Sequence, residues 1–201
     1  DYAVAALAYS PDGLRLAAVG NSRELLLITL DSNVAPARLT CPCQDMRALA
    51  FSPDGSLLAA GGRSGAVRIW DLKTHEVVDS TVTHRGRVRA LAFSKESDRL
   101  ISCGDDRRLC VRQKGEFDWE TISLPRRPAK FLAFALVEGH ILVGGTDNQI
   151  RLWDLETYEE KLVLSAHRGS VCTLKATADG FVSGSFDTSL RVWTRTSNVS
   201  Q

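Results

Sequence analysis

A four-residue turn returns along this chain at a constant spacing. Ser10-Pro11-Asp12-Gly13 recurs as Ser52-Pro53-Asp54-Gly55, and Ser94 continues the series, so each step is 42 residues. Short segments of alternating apolar and polar residues flank each turn, and no long stretch has helical periodicity. Alternation with a period of two is typical of half-buried strands. The turn series therefore predicts an all-β chain made of repeated antiparallel sheets.

A further strand of the repeat ends in tryptophan in its clearest copies. Trp70 and Trp153 are 83 residues apart, which is two periods, and Trp193 follows 40 residues later. Self-similarity at about 40–45 residues, with several short strands in each repeat, is typical of the blades of a β-propeller. We therefore predict a β-propeller whose blades follow one another along the chain.

The repeats resemble the WD40 family. The resemblance rests on the Ser-Pro-Asp-Gly turns, on Trp70-Asp71 and Trp153-Asp154, and on His84-Arg85-Gly86 and His167-Arg168-Gly169, where the family usually has Gly-His. It covers essentially the whole chain, residues 1–201, as one propeller region of five units in phase. The resemblance implies one four-stranded antiparallel blade per unit, with approximate bounds 3–44, 45–86, 87–128, 129–169 and 170–201.

The ends of the repeat series bear on whether the ring is complete. Residues 75–80 and 159–164 are predicted outer strands, whereas the polar segment after Trp193 offers the fifth unit no such strand. Nor does a strand precede the first unit, although in the family the N-terminal end often completes the last blade. Five blades can close a ring, because propellers contain about 4–8. We favour the alternative, in which the five blades are part of a larger ring, most often seven-bladed in the family.

Charge and hydropathy narrow the classes of partner. Lys and Arg (25) nearly balance Asp and Glu (24), so the net charge predicts neither nucleic acid nor a membrane surface as a partner. No run approaches the length of about 18 apolar residues that indicates a transmembrane helix, and the N-terminus lacks the features of a signal peptide. The basic run Arg126-Arg127-Pro128 has no RNA-binding signature, so a solvated loop is favoured there.

The cysteines indicate a compartment and argue against a metal site. The five cysteines, at positions 41, 43, 103, 110 and 172, form an odd and scattered set. Such a set argues against a disulfide framework and favours a reducing compartment, so we expect a cytoplasmic protein. Cys41-Pro42-Cys43 has neither a second cysteine pair nor a nearby His. We therefore expect no metal and no cofactor.

The resemblance implies a structural tetrad, a hydrogen-bonded set of four side chains within a blade. The fifth unit carries all four members, His167, Ser183, Asp187 and Trp193. In the other units the set is incomplete: unit three keeps His84, Ser102 and Asp106 but has Arg112 for Trp, unit four has Val143 for Ser and no His, unit two has Ala60 and Ser64 for Ser and Asp, and unit one has Ile28 for Trp. Apolar packing must therefore stabilise most of the blades.

A set of His, Ser and Asp also raises the alternative of a hydrolase. The sequence contains no Gly-x-Ser-x-Gly elbow of the kind that exposes a nucleophilic serine. The repeat accounts for each member of the set without any chemistry. We therefore favour the structural role, predict no catalytic residues and expect that the chain is not an enzyme.

The resemblance also implies where a partner would bind. In the family, partners most often contact the top face, near the start of each inner strand and just before the turn Asp. Mapping by phase places six residues there: Arg47, Arg63, Arg87, Arg89, Lys130 and Phe186. Arginine suits carboxylates and phosphates because its planar fork can donate two hydrogen bonds at once. This predicts a surface for an acidic or phosphorylated peptide, the alternative being arginines that only keep the rim solvated.

The sequence as a whole predicts a protein-interaction scaffold that binds a peptide or loop on the top face of the propeller. One alternative is a regulatory or sensor propeller within a larger signalling or enzymatic protein, and a less favoured one is a propeller enzyme. The partners expected are other proteins or peptides, without nucleic acid or membrane, and the oligomeric state is left open. A fold alone does not determine function, so the site must be argued from its residues.

Overall fold

The strands follow one another in the order of the chain. The computed structural model describes residues 3–40, 46–114, 119–123, 129–165 and 167–194, and for 119–123 the backbone alone. The described residues form nineteen strands and no helix. They fall into five antiparallel sheets in which each strand pairs with the next along the chain. The prediction of an all-β chain of repeated antiparallel sheets is confirmed.

The chain divides into two compact units, and unit one spans Asp1–Pro128. It contains three sheets of four strands each. Sheet one comprises β1 (Val4–Tyr9), β2 (Arg15–Gly20), β3 (Glu24–Thr29) and β4 (Ala37–Thr40). Sheet two comprises β5 (Met46–Phe51), β6 (Leu57–Gly62), β7 (Ala66–Asp71) and β8 (Val77–Val82). Sheet three comprises β9 (Val88–Phe93), β10 (Arg99–Gly104), β11 (Leu109–Lys114) and β12 (Trp119–Ser123).

Unit two spans Ala129–Gln201 and contains two sheets. Sheet four comprises β13 (Phe131–Val137), β14 (His140–Gly145), β15 (Ile150–Asp154) and β16 (Glu160–Leu164). Sheet five comprises β17 (Val171–Thr177), β18 (Gly180–Ser185) and β19 (Leu190–Thr194). The polar segment in which we predicted no outer strand, residues 195–201, lies outside the described residues, as do Cys41, Cys43 and the basic run at 126–128. The predicted repeat bounds and the completeness of the fifth blade stay predictions.

The recurring serine turn links the first two strands of a sheet. In sheet two the Ser52 hydroxyl accepts a hydrogen bond from Leu57 N at 2.8 Å and donates to Asp54. Gly55 takes a left-handed φ of 71°, which glycine adopts without strain. Ser52 is fully buried, so both of its bonds replace bonds to water. The same serine geometry joins β1 to β2 and β9 to β10, which is why this motif carries the period of the chain.

The predicted outer strand of sheet two was wrong at its start. β8 begins at Val77, two residues later than His75. Asp71 holds the intervening turn, because its side chain accepts hydrogen bonds from Lys73 N at 2.7 Å and Thr74 N at 2.9 Å. His75 then takes a left-handed φ of 62° and donates its N–H to the Asp71 carbonyl, which excludes it from a strand.

The core lies between neighbouring sheets of each unit. One buried cluster joins sheets one and two and includes Val19, Leu25, Leu39, Leu58 and Trp70. A second joins sheets two and three and includes Ile69, Val88, Leu91, Phe93 and Leu100. In unit two a third cluster joins sheets four and five and includes Leu142, Ile150, Val171, Leu174 and Phe181. The apolar positions that alternate along each strand therefore stabilise the molecule by sheet-to-sheet packing.

Two glycines allow the sheets to approach closely. A Cβ on Gly61 of sheet two would lie 2.8 Å from the Val88 side chain of sheet three. A Cβ on Gly144 of sheet four would lie 2.5 Å from the Val171 side chain of sheet five. Both distances are too short for non-bonded carbons, so a larger residue at either glycine would force the two sheets apart.

A buried ion pair joins sheets two and three at the place of a missing tryptophan. Arg112 pairs in register with Leu100 as Trp193 pairs with Phe181, so it takes the tryptophan position of sheet three. Its guanidinium donates to Asp79 of β8 at 2.5 Å, and the two side chains are 3 % and 6 % exposed. Where Trp193 bonds within its own sheet, Arg112 bonds to the neighbouring one.

We predict that removing either member of this ion pair destabilises the chain strongly. Arg112→Met or Asp79→Leu alone should lower the free energy of unfolding by about 3–5 kcal/mol, because each leaves a buried charge without its partner. The double variant Asp79→Leu/Arg112→Met should lose much less than the sum of the two. Urea unfolding of all four proteins measures the coupling, and strictly additive losses would contradict it.

Candidate functional site

The four side chains of the predicted tetrad are hydrogen-bonded in one chain at an end of sheet five. Trp193 Nε1 donates to Ser183 Oγ at 2.8 Å, and Ser183 Oγ lies 2.7 Å from His167 Nε2. His167 Nδ1 lies 3.1 Å from Asp187 Oδ2. A carboxylate only accepts, so the Nδ1 proton points to Asp187, and Nε2 accepts the serine proton. Each buried polar group therefore has a partner.

Asp187 is the anchor of this set. Its carboxylate accepts hydrogen bonds from Ser189 Oγ at 2.6 Å and from Arg168 N at 2.8 Å, besides the imidazole. These bonds stabilise the ionised form and hold the pKa of Asp187 far below its ordinary value, the bond from Ser189 contributing most. The bond from Arg168 N fixes the loop before β17, so that the tetrad joins this loop to the turn between β18 and β19.

Sheet three carries the same arrangement without the tryptophan. His84 Nε2 lies 2.8 Å from Ser102 Oγ, and His84 Nδ1 lies 2.9 Å from Asp106 Oδ1. Burial lowers the pKa of His84, although the neighbouring Asp106 carboxylate opposes the effect. The imidazole is therefore neutral at pH 7. Asp106 also accepts from Arg85 N at 3.0 Å, which ties the loop before β9 to the turn between β10 and β11.

Neither set can act on a substrate in the manner of a hydrolase. Ser102 is 1 % exposed and Ser183 is fully buried. The hydroxyls are enclosed between strands, whereas nucleophilic catalysis requires a serine that an incoming carbonyl can reach. The geometry of Ser, His and Asp here holds loops together and supplies no reactive group at the surface.

Sheet four replaces the missing histidine with an arginine. Arg151 donates to Asp147, the turn carboxylate that matches Asp187, at 2.5 Å and to Gln149 Oε1 at 2.6 Å. Val143, at the serine position, pairs with Arg151 as Ser183 pairs with Arg191. The Asp147 carboxylate thus pairs with an arginine of the strand that follows. The repeat pattern of the sequence indicated only that the histidine is missing.

Four of the six predicted partner-binding residues lie in unit one, at the same end of sheets two and three. Arg47 and Arg89 lie near the starts of β5 and β9, Arg87 directly precedes β9, and Arg63 lies in the turn between β6 and β7. Arg47, Arg63 and Arg89 are exposed, and Arg87 is half-buried. We call this surface, formed by Arg47, Arg63, Arg87 and Arg89, the arginine end.

The other two predicted residues lie in unit two. Lys130 is exposed beside the start of β13, and Phe186, which is 73 % exposed, lies in the turn between β18 and β19. Both belong to the second compact unit, so neither is part of the arginine end. Within unit two each lies at the end of its sheet where the inner strand begins.

The register corrects the phase of Lys130. Alignment of the Leu-Ala-Phe segments at 91–93 and 132–134 predicts that Lys130 is in phase with Arg89. In the structure Thr146 N donates to Lys130 O as Asp105 N donates to Arg87 O, so Lys130 matches Arg87. These segments align equally well in either phase. Apolar residues alternate there with a period of two, and a shift of two residues preserves the alternation.

Three residues that the phase mapping missed also lie at this end of unit one. Arg85 is in the loop before β9, and Arg107 and Arg108 are in the turn between β10 and β11. Arg85 and Arg108 are exposed. The segment Arg85-Gly86-Arg87 was visible in the sequence as a local excess of positive charge, which a search by charge clustering would have found. Arg107 and Arg108 directly follow Asp105 and Asp106, so no such signal marked them in the sequence.

Unit two has an apolar groove between sheets four and five. Its volume is about 320 Å³, and it is lined by side chains that include Leu152, Leu162, Leu164, Phe181 and Trp193. The Phe181 and Trp193 rings stack with their centroids 5.5 Å apart. Unit two therefore offers an apolar surface, in contrast with the charged arginine end of unit one.

The described residues provide neither a metal site nor a membrane span. No cluster of three or more His, Cys, Asp and Glu side chains with metal-binding geometry occurs among them. No helix among them is long and apolar enough to cross a membrane. The cysteines described, Cys103, Cys110 and Cys172, are free thiols, and burial raises the pKa of Cys103 to about 12, so that thiol is unreactive.

Comparison with known proteins identifies the family. The family model "WD domain, G-beta repeat" matches residues 37–71, 76–112 and 158–194, which together exceed half of the chain. The chain belongs to the WD40 repeat family. A search of curated protein sequences finds no match.

Solved structures establish the β-propeller fold of this WD40 chain. The structure of U3-55K is similar with a TM-score of 0.82 and 23 % identity, over 96 % of this chain. The β-propeller domain of Cps50 (Swd1) from Myceliophteria thermophila is similar with a TM-score of 0.81 and 16 % identity, over 92 % of this chain. The match spans 62 % of each of those chains. The larger ring stays a prediction.

We predict that the complete tetrad of sheet five stabilises the fold, whereas Ser64, at the Asp position of the incomplete set in sheet two, does not. Trp193→Phe keeps the stacked ring but removes the indole donor to Ser183, and Asp187→Ala removes the anchor, so both should lower the thermal midpoint. The loss expected for Trp193→Phe is about 1–2 kcal/mol, the value of a buried hydrogen bond. Ser64→Ala, at an exposed turn position, is the matched control and should be nearly neutral. Equal midpoints for the three variants would refute this.

We predict that acid weakens the chain through His84. Its pKa is lower in the folded state than the ordinary value of about 6.5, so the unfolded chain binds the proton more readily. The free energy of unfolding should therefore fall as the pH drops below about 6.5, until the folded pKa is reached. His84→Asn should flatten this dependence in urea unfolding measured between neutral and mildly acidic pH. The control His75→Asn, at an exposed turn, should leave the slope unchanged, and an unchanged slope in His84→Asn would contradict the assignment.

Proposed function

We propose that this WD40 chain is a protein-interaction scaffold whose arginine end binds an acidic or phosphorylated peptide or loop of a partner protein. WD40 propellers generally serve as protein-interaction scaffolds, and the four arginines suggest the chemistry of the partner. We also propose a cytoplasmic location, which the free thiols of the described cysteines support.

The observation that carries the proposal is the concentration of positive charge at one end of sheets two and three. Arg47, Arg63, Arg87 and Arg89 lie there, although the whole chain has a net charge of only +1. Asp105 pairs with one member of this set, through Arg89 Nε at 2.6 Å. A surface of this kind attracts anionic groups and speeds their association.

The backbone beneath these arginines is held in place before any partner arrives. Asp105 N donates to Arg87 O at 2.9 Å, and Thr83 N and His84 N both donate to Gly65 O, which ties the loop before β9 to the turn that carries Arg63. A scaffold that is ordered in advance loses less entropy on binding than a loop that must fold around its ligand. Recognition can therefore depend on a few arginine anchors, without a large contact area.

We predict that reversing two charges at the arginine end strongly weakens binding. Arg47→Glu/Arg89→Glu should weaken binding of a phosphoserine- or glutamate-rich peptide by about tenfold or more, because each change replaces an attraction with a repulsion. Wild-type affinity should fall as salt is raised, since exposed charges are screened. Fluorescence anisotropy with labelled peptides measures both effects.

The matched control is Arg38→Glu/Lys95→Glu, which makes the same change in net charge at exposed sites elsewhere in unit one. Arg38 is on the outer strand β4, and Lys95 is in the turn between β9 and β10, at the opposite end of sheet three. This variant should bind as the wild type does. If both double variants lose affinity equally, or if the wild type binds neither peptide, the proposal is wrong.

A further inference from the structure

We infer that one blade of unit one, sheet three, carries a phosphate-binding site formed by Arg85, Arg87, Arg89, Arg107 and Arg108, and that Asp105 sets its strength. The inference rests on the proposed function and names its ligand class, a phosphorylated side chain of the partner. It adds Arg85, Arg107 and Arg108 to the arginine end and assigns a role to Asp105.

Four of the five arginines come from two loops that a single carboxylate holds together, and Arg89 lies near the start of β9. Asp106 Oδ2 accepts from Arg85 N at 3.0 Å, and Asp106 Oδ1 accepts from Arg108 N at 3.3 Å. The backbone nitrogens of these two arginines therefore lie on either side of one carboxylate group. Asp106 is itself fixed by the buried imidazole of His84, so that the separation of the loops is set by the core of the blade.

The second loop is the tight turn between β10 and β11, and it contains Arg107 and Arg108. Arg107 takes a left-handed φ of 64° and donates its N–H to Gly104 O at 3.1 Å, which closes a tight turn. A non-glycine residue in this region is uncommon and is kept only where its surroundings hold it. The bonds to Asp106 provide that support, and Arg108 is exposed directly after the turn.

The local charge favours a doubly charged ligand. The two loops and the start of β9 carry five arginines against Asp105 and Asp106, so a net charge of about +3 remains when all are ionised. A phosphorylated side chain carries about −1.5 to −2 charges at pH 7 and has three strong acceptor oxygens, whereas a carboxylate carries one charge and has two oxygens. The attraction grows with ligand charge, and three oxygens can bridge arginines from both loops. A phosphate therefore gains more here than a glutamate.

Asp105 is the counter-charge built into this site. Its Oδ1 accepts from Arg89 Nε at 2.6 Å, and the two side chains are 34 % and 37 % exposed, so a ligand can reach the pair. An incoming anion must compete with this carboxylate and is repelled by it. Removing the charge while keeping the shape should therefore tighten binding, and the gain should be larger for the more highly charged ligand.

The test uses fluorescence anisotropy to compare three peptides that differ only at the central residue, which is phosphoserine, glutamate or serine. The rest of the peptide is neutral. The wild type should bind the phosphoserine peptide about tenfold more tightly than the glutamate peptide, a difference of about 1.4 kcal/mol. Arg85→Gln/Arg108→Gln, in which only exposed side chains change, should remove most of that difference. Asp105→Asn should bind the phosphoserine peptide several-fold more tightly than the wild type does.

The control Arg38→Gln/Lys95→Gln removes two positive charges elsewhere in unit one and should keep the preference for phosphoserine. Thermal melts of each variant exclude unfolding as the cause of a loss. If the wild type binds neither charged peptide, the proposed function itself fails. If it binds both equally, or if Arg85→Gln/Arg108→Gln binds as the control does, the arginine end binds acidic peptides but the phosphate site on sheet three is refuted.

Discussion

The close packing of neighbouring sheets within each compact unit is the constraint on which the rest of the structure depends. Val88 of sheet three lies against Gly61 of sheet two, and Val171 of sheet five lies against Gly144 of sheet four, with no room for a Cβ. Interiors packed at this density transmit any change in volume to their neighbours. This contact sets the spacing of the blades within each unit, and thus the positions of the loops at their ends.

The buried histidine sets convert that packing into fixed loops. In sheets three and five an imidazole joins a serine on the second strand to the aspartate of the following turn, and the aspartate then binds the backbone of the preceding loop. A fully satisfied polar network in a low-dielectric interior is stable because no member is left without a partner. In sheet three the loops held in this way carry the arginines. The stability of the blade and the proposed binding surface therefore depend on the same carboxylate, Asp106.

Where residues depart from the repeat pattern, their partners were not predicted from the sequence. From the sequence, Arg112 in a tryptophan position indicates only the loss of the indole N–H donor, and Asp79 is one polar residue of a predicted outer strand. Only the packed sheets bring the two together as a buried pair. In sheet four Arg151 pairs with Asp147 and so takes the place of the missing histidine. The Asp79–Arg112 pair depends on a contact between residues on different strands, which spacing along the chain does not encode, whereas Arg151 and Asp147 are only four residues apart.

The sequence by itself determined the strand-and-turn repeat, the all-β class, the WD40 family and the positions of the tetrad residues. The repeat and the all-β class follow from alternation with a period of two and from turn residues with local hydrogen bonds, both of which are properties of neighbouring residues. The family and the tetrad positions follow from the resemblance of the repeats to the WD40 family. The tertiary structure decided the phase of Lys130, the ion pair of Asp79 with Arg112, and the meeting of Arg85 with Arg108 across Asp106. A period of two permits a slip by two residues, and pairings between strands and loops depend on distance in space, so only packing could fix them.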